Sequence, residues 1–169
     1  MPRLGVVVIH MRPNFKIQLM AGNDKFSEMA ALKPLVPFDD SVITFLDKLS
    51  GLLMNHPQGR DFPEIITFGF YVRKSSITKL KRSYVDLKSN VGRGVSFHIA
   101  PSNVPINFAY SLLVGLLSGN ACVVRVSSKS FPQTDIVSNA ICTLLDRVEF
   151  AELKRYVSIV RYERDTETN

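Results

Sequence analysis

The strongest constraint on this chain lies between residues 95 and 160, where three short apolar runs alternate with two stretches of helical period. Val95, Ser96, Phe97, His98 and Ile99 read as a buried strand that ends at Pro101, residues 121–126 as a second, and residues 156–160 as a third. The first interval, from Pro105 or Ile106 to Ser118, is apolar nearly all round, which predicts a helix covered on most sides, with Gly119 as its left-handed C-terminal residue. Ser130, Phe131 and Pro132 open the second helix, whose inward face is Ile136, Val137, Ala140, Ile141, Leu144 and Leu145. Strands separated by helix-length crossovers pair in parallel, and such crossovers are right-handed. The predicted class is therefore α/β, with a Rossmann-like parallel sheet.

Upstream, the extended-looking runs 5–10 and 15–20, parted by Arg12, Pro13 and Asn14, predict a hairpin or edge-strand pair. A loop with Pro34 and Pro37 leads to Asp39, Asp40 and Ser41, which offer N-cap groups to a helix facing inward through Val42, Phe45, Leu46, Leu49, Leu52 and Leu53. Asn55, His56, Pro57 and Gly59 stop it. A second helix is predicted over 62–84, with Pro63 in its first turn and Ile66, Phe70, Arg73, Ile77, Leu80 and Tyr84 in one line. Residues 1–90 thus form a lead-in of strands and helices, and residues 91–169 the beginning of the sheet domain.

At 169 residues with 46% hydrophobic side chains, the chain can bury the core of one ordinary domain. Its net charge of +6 is concentrated: residues 73–93 hold Arg73, Lys74, Lys79, Lys81, Arg82, Lys88 and Arg93 against Asp86 alone, and the remainder sums to zero. Such a stripe is first a solvated helix face; an anionic cofactor, an acidic acyl carrier and nucleic acid are the alternatives. No aromatic ladder or nucleic-acid motif accompanies it, which argues against nucleic acid. The longest apolar stretch, 106–117, is interrupted by Asn107 and Ser111 and is too short for a membrane span, and no secretory signal is legible. Cys122 and Cys142 lack metal-ligand spacing and read as buried reduced thiols, which suggests a cytoplasmic setting; no metal site is expected.

Ligands of open parallel sheets bind beyond the carboxyl ends of the strands. Two polar clusters fall there: Pro101, Ser102, Asn103, Val104 and Pro105, then Arg125, Val126, Ser127, Ser128 and Lys129. With Ser118, Gly119 and Asn120 between them, they resemble the aldehyde dehydrogenase superfamily, where Pro-x-Asn-x-Pro ends a strand and Ala-Gly-Asn-x-Val-Val-x-Lys-Pro-Ser follows a helix. Residues 98–105 and 124–129, with Arg73 and Lys74 upstream, are closer to its acyl-CoA reductase branch, the luminescence-type fatty acyl reductases; the likeness runs from about residue 38 onward.

The resemblance implies an aldehyde dehydrogenase-like fold and an NADPH-dependent oxidoreductase taking a fatty acyl-CoA or acyl-protein thioester to the aldehyde. A cysteine thiolate would attack the thioester and expel CoA or the protein thiol, and hydride from the nicotinamide would then collapse the acyl-enzyme to the aldehyde. Asn103 matches the asparagine that stabilises the oxyanion; without the resemblance it reads as a turn-closing residue. Ala100, Pro101 and Ser102 match positions lining the adenosine half of the cofactor site, and Arg125 replaces the usual ribose-reaching lysine. Ser128 stands where many NAD-preferring relatives have a glutamate, and with Ser127 and Lys129 this favours NADPH; by itself Lys129 also reads as an exposed loop lysine. Acyl-transferase or acyl-protein synthetase subunits and a homo-oligomeric full-length form are further implications.

Departures from the pattern matter too. Neither Cys122 nor Cys142 matches the place of the nucleophile, and the polar residues 163–169 read as a cut through a larger domain. The expectation is a cofactor-domain fragment inactive alone, with an open sheet edge that promotes self-association. The other reading is a non-catalytic module that uses the 73–93 stripe on an acyl carrier or partner subunit.

Overall fold

The computed structural model describes residues 17–163. Their elements are β1 (Gln18–Gly22), α1 (Phe26–Met29), α2 (Asp40–Met54), α3 (Pro63–Tyr71), α4 (Lys74–Lys81), β2 (Val95–Ile99), α5 (Asn107–Leu117), β3 (Ala121–Val126), α6 (Pro132–Leu145), α7 (Ala151–Lys154) and β4 (Val157–Arg161). The class is α/β, and the sheet order is β1-β4-β3-β2. Strands β2, β3 and β4 are parallel neighbours, as the alternating pattern predicts. The sheet is nevertheless mixed rather than purely parallel, because β1 pairs antiparallel with β4, with a register shift between Leu19 and Ala21. Of the two runs predicted as a hairpin or edge-strand pair, residues 18–20 lie in the edge strand β1, which pairs with β4 far along the chain, while run 5–10 falls outside the described residues.

Helices α5 and α6 cover the same face of the sheet. Gly115 of α5 sits over Cys122, His98 and Ser96, and Asp135 of α6 reaches Arg161, which shares that face. A further layer, α2, packs on both helices, with Phe45 edge-on to Phe150 at 5.4 Å. Asp39 caps α2 by accepting from the Ser41 N–H at 2.9 Å, and Val42, Phe45, Leu46, Leu49 and Leu53 are buried as the periodicity requires. One hydrophobic core therefore joins the lead-in helices to the sheet domain. Among the described residues no helix is long and apolar enough to cross a membrane.

The single helix predicted over 62–84 is broken into α3 and α4 at Val72 and Arg73. Arg73 is extended (ψ 145°), and the first N–H of α4, that of Lys74, donates to Asp47 Oδ1 of α2 at 2.9 Å. A tertiary cap thus ends the continuous helix. The inward line also shifts by one residue in α3, to Ile65, Phe68, Gly69 and Val72, which leaves Phe70 outside under the Arg73 guanidinium, 3.4 Å from the ring centre.

Strand β2 is an edge strand, and its predicted burial is corrected on one face. Val95, Phe97 and Ile99 are 44%, 56% and 62% exposed, while the face under α5 carries Ser96 and His98. This is polar inside and apolar outside, the reverse of a free-standing antiparallel edge.

Gly115 sets how closely α5 approaches the sheet, since a Cβ there would collide with Cys122 Sγ. Gly115→Ala is expected to cost about 1–3 kcal/mol by overpacking. Chemical unfolding of G115A, C122A and the double variant should show the glycine substitution costing less once the sulfur is gone; full additivity would contradict the contact.

Candidate functional site

Strands β2 and β3 run level, with Val95 beside Ala121 and Ile99 beside Arg125, so their carboxyl ends emerge together. One further rung binds the exits: the Ala100 N–H donates to the Arg125 carbonyl at 2.9 Å. Beyond it, the Thr134 hydroxyl in the first turn of α6 donates to the Pro105 carbonyl at 2.7 Å, so the loop after β2 is bolted to the helix after β3. The two polar clusters of the sequence thus flank one end of the sheet, as neighbours.

Within the first cluster Ala100 is buried, whereas Pro101, Ser102, Asn103 and Val104 are exposed. A turn-closing asparagine would bond the flanking backbone through its side chain. Among the described residues the Asn103 carboxamide has no such partner and remains open to solvent; the next turn, 104–107, is closed by the Asn107 N–H on the Val104 carbonyl.

In the second cluster Ser127 is buried and its hydroxyl accepts from the Lys129 N–H at 3.0 Å, a side-chain turn that shapes the loop. Ser128 and Lys129 are exposed. Arg125 lies apart from them, 6% exposed on the sheet face that carries Phe97. Its guanidinium donates to the Tyr162 carbonyl at 3.1 Å and lies 4.7 Å from that ring, and its Nε is buried without a partner among the described residues.

The sequence reading passed over Thr134, the bolt between the loops, and the pair formed by Arg161 and Asp135 at 3.0 Å beside them. Only their sequence positions, in the first turn of a crossover helix and at the end of a strand, could have drawn attention to them.

Neither cysteine is a ready nucleophile. Burial pushes the Cys122 thiol up to about 11, against which the Ser96 hydroxyl, 3.4 Å away, works only weakly. Burial likewise raises the Cys142 thiol, helped by the nearby Asp146 carboxylate and partly opposed by Lys154. Both are therefore thiols rather than thiolates at neutral pH. His98 Nε2 lies 3.0 Å from Ser96 Oγ, completing a polar row beneath α5. Among the described residues no three His, Cys, Asp or Glu side chains gather as a metal site.

A family model described as acyl-CoA reductase (LuxC) matches residues 71–168, more than half of the chain. No curated protein and no solved structure matches it.

Because native Cys122 holds its proton where the unfolded thiol has lost it, its contribution to stability is complete below about pH 9 and is lost as the pH rises toward about 11. Unfolding free energies across that window should fall more steeply for the parent chain than for Cys122→Ala; parallel curves would contradict the burial.

Proposed function

The chain belongs to the acyl-CoA reductase (LuxC) family, and from that premise we propose that the two loops form part of an NADPH site for reducing a fatty acyl-CoA or acyl-protein thioester to the aldehyde. The observation that carries the reading is the shared exit of residues 100–106 and 127–131 from level parallel strands, tied by the bonds from Ala100 to Arg125 and from Thr134 to Pro105. In open α/β sheets this is where dinucleotides lie.

The inverted pattern of β2 supports a sheet that continues past its open edge, with Val95, Phe97 and Ile99 covered by further elements, as an aldehyde dehydrogenase-like fold requires. In this reading residues 91–169 are the first part of a dinucleotide-binding domain, and the full-length protein is a homo-oligomer in a reducing, cytoplasmic setting.

The donors at the second loop suit a phosphorylated ribose. Ser128 and Lys129 are exposed, no carboxylate lies within residues 127–131, and the next acid along the chain, Asp135, is held by Arg161. Ser127 shapes the loop that presents them. Ala100, Pro101 and Ser102 supply backbone beside the adenosine. Arg125 stands where the ribose-reaching lysine is usual, and its guanidinium also donates to the Tyr162 carbonyl, bracing β3 against the residue that follows β4.

When bound, the nicotinamide supplies hydride to the acyl carbon. Asn103 contributes an exposed amide N–H that can donate to the carbonyl oxygen as negative charge develops on it, an effect worth about 3 kcal/mol where such donors have been removed. Cys122 in β3 and Cys142 in α6 do not match the place of the nucleophile and are both held as thiols, so this chain is expected to bind cofactor without turning over a thioester. Acyl-transferase or acyl-protein synthetase subunits would supply the acyl group.

Titration with NADPH and NADH by calorimetry tests the proposal. NADPH should bind more tightly, Ser128→Glu should weaken NADPH by about tenfold or more while sparing NADH, and Lys129→Ala should weaken NADPH alone. No dinucleotide binding, or indifference to Ser128→Glu, would overturn it.

A further inference from the structure

A concave site lies at the opposite end of the sheet. The segment before α2 is strapped to the amino ends of the strands: the Leu35 N–H donates to the Gly119 carbonyl, the Gly92 N–H to Leu35, and the Phe38 N–H to Leu117. Between this strap and the end of α4 opens a cleft of about 600 Å³ lined by Val36, Pro37, Lys81, Tyr84, Asp86, Leu87 and Ser89. At ~3.3 Å per residue, the length of β3 separates it from the crevice by roughly 17 Å.

Several independent features converge there. Among the described residues two non-glycine residues have left-handed backbones: Asp86 (φ 58°), which lines the cleft, and Phe38 (φ 57°), which follows the lining residues Val36 and Pro37. Such backbones are costly, and they persist where the surroundings hold them. The Lys81 ammonium is fixed by donating to the Phe38 carbonyl at 3.1 Å, with two N–H groups left over among the described residues, and the Phe38 and Tyr84 rings meet at 5.4 Å. Nearby, Val36, Tyr84, Val85 and Val91 are exposed, Val85 to 86%. The wall formed by residues 81–89 carries Lys81, Arg82 and Lys88 against Asp86, within the segment 73–93 that holds the chain's net charge of +6.

We propose that this cleft docks an acidic protein segment that inserts one apolar side chain between Val36, Pro37, Tyr84 and Leu87. Basic surroundings select an acidic partner and speed its encounter, while a concave apolar pocket anchors it. A concave pocket with Asp86 in its wall suits an inserted side chain better than an anionic bilayer, which would meet a broad basic surface. The inference is independent of the dinucleotide reading, since it uses none of the same residues.

The test is fluorescence anisotropy with a dye-labelled synthetic peptide, glutamates flanking a central leucine, alongside a version with alanine at the centre. The leucine peptide should bind saturably, about tenfold more tightly than the alanine version, and weaken about tenfold between ~50 and ~300 mM salt. Val85→Asp and Lys81→Gln should each reduce binding about fivefold or more. For the highly exposed Val85 the melting temperature should be unchanged, so a folding defect cannot mimic the result. Equal binding of the two peptides, absence of binding, or preference for phosphatidylserine vesicles over the peptide would overturn the proposal. The peptide reports on the cleft whether or not the chain binds NADPH.

Discussion

The carboxyl end of the sheet takes its form from the close seating of α5 across β2 and β3. Parallel neighbours must be joined by a crossover, and here the crossover is short: residues 100–106, eleven residues of α5, and the turn at Gly119. For that path to close, α5 must lie almost on the strands, and Gly115 permits it by leaving space for the Cys122 sulfur, Ser96 and His98. The left-handed Gly119 (φ 83°) then returns the chain to β3 level with β2. Once the strands are level, their following loops emerge side by side, and Thr134 fastens them together.

The two faces of the sheet have different character. One is sealed by α5 and α6 with α2 behind them, and its core residues are almost wholly buried. The other, at β2, offers Val95, Phe97 and Ile99 to solvent beside a strand edge that is unpaired among the described residues. Exposed edges of this kind recruit further strands, and natural sheets that end there carry charges or proline to prevent it. Residues 95–99 carry neither, which is what a strand meant for the interior of a wider sheet would look like.

Much of this arrangement is legible in the sequence because it is local. β2 and β3 have the predicted limits, Gly119 takes the left-handed conformation assigned to it, and Asp39 caps α2. What escaped depends on distant partners. No local signal says that Asp47 will capture the Lys74 N–H and split a helix, or that β1 will find β4 across the chain. An apolar run such as 95–99 looks the same whether one face or both are covered, so the edge position of β2 was invisible. Likewise, no local signal says that the Arg125 guanidinium will donate to the Tyr162 carbonyl. Ser128, Lys129 and Asn103 are exposed as loop residues beyond strand ends, which periodicity alone anticipates.

The central claim is that residues 100–106 and 127–131 border a single dinucleotide crevice. Amide-resolved NMR titration with NADPH tests it most directly, because it reports both loops at once without requiring turnover. The account predicts saturable shifts at Ser102, Asn103, Ser128 and Lys129 with one common dissociation constant, leaving the amides around Tyr84 and Leu87 undisturbed. Shifts confined to one loop, two unrelated constants, or changes centred on the opposite end of the sheet would contradict it.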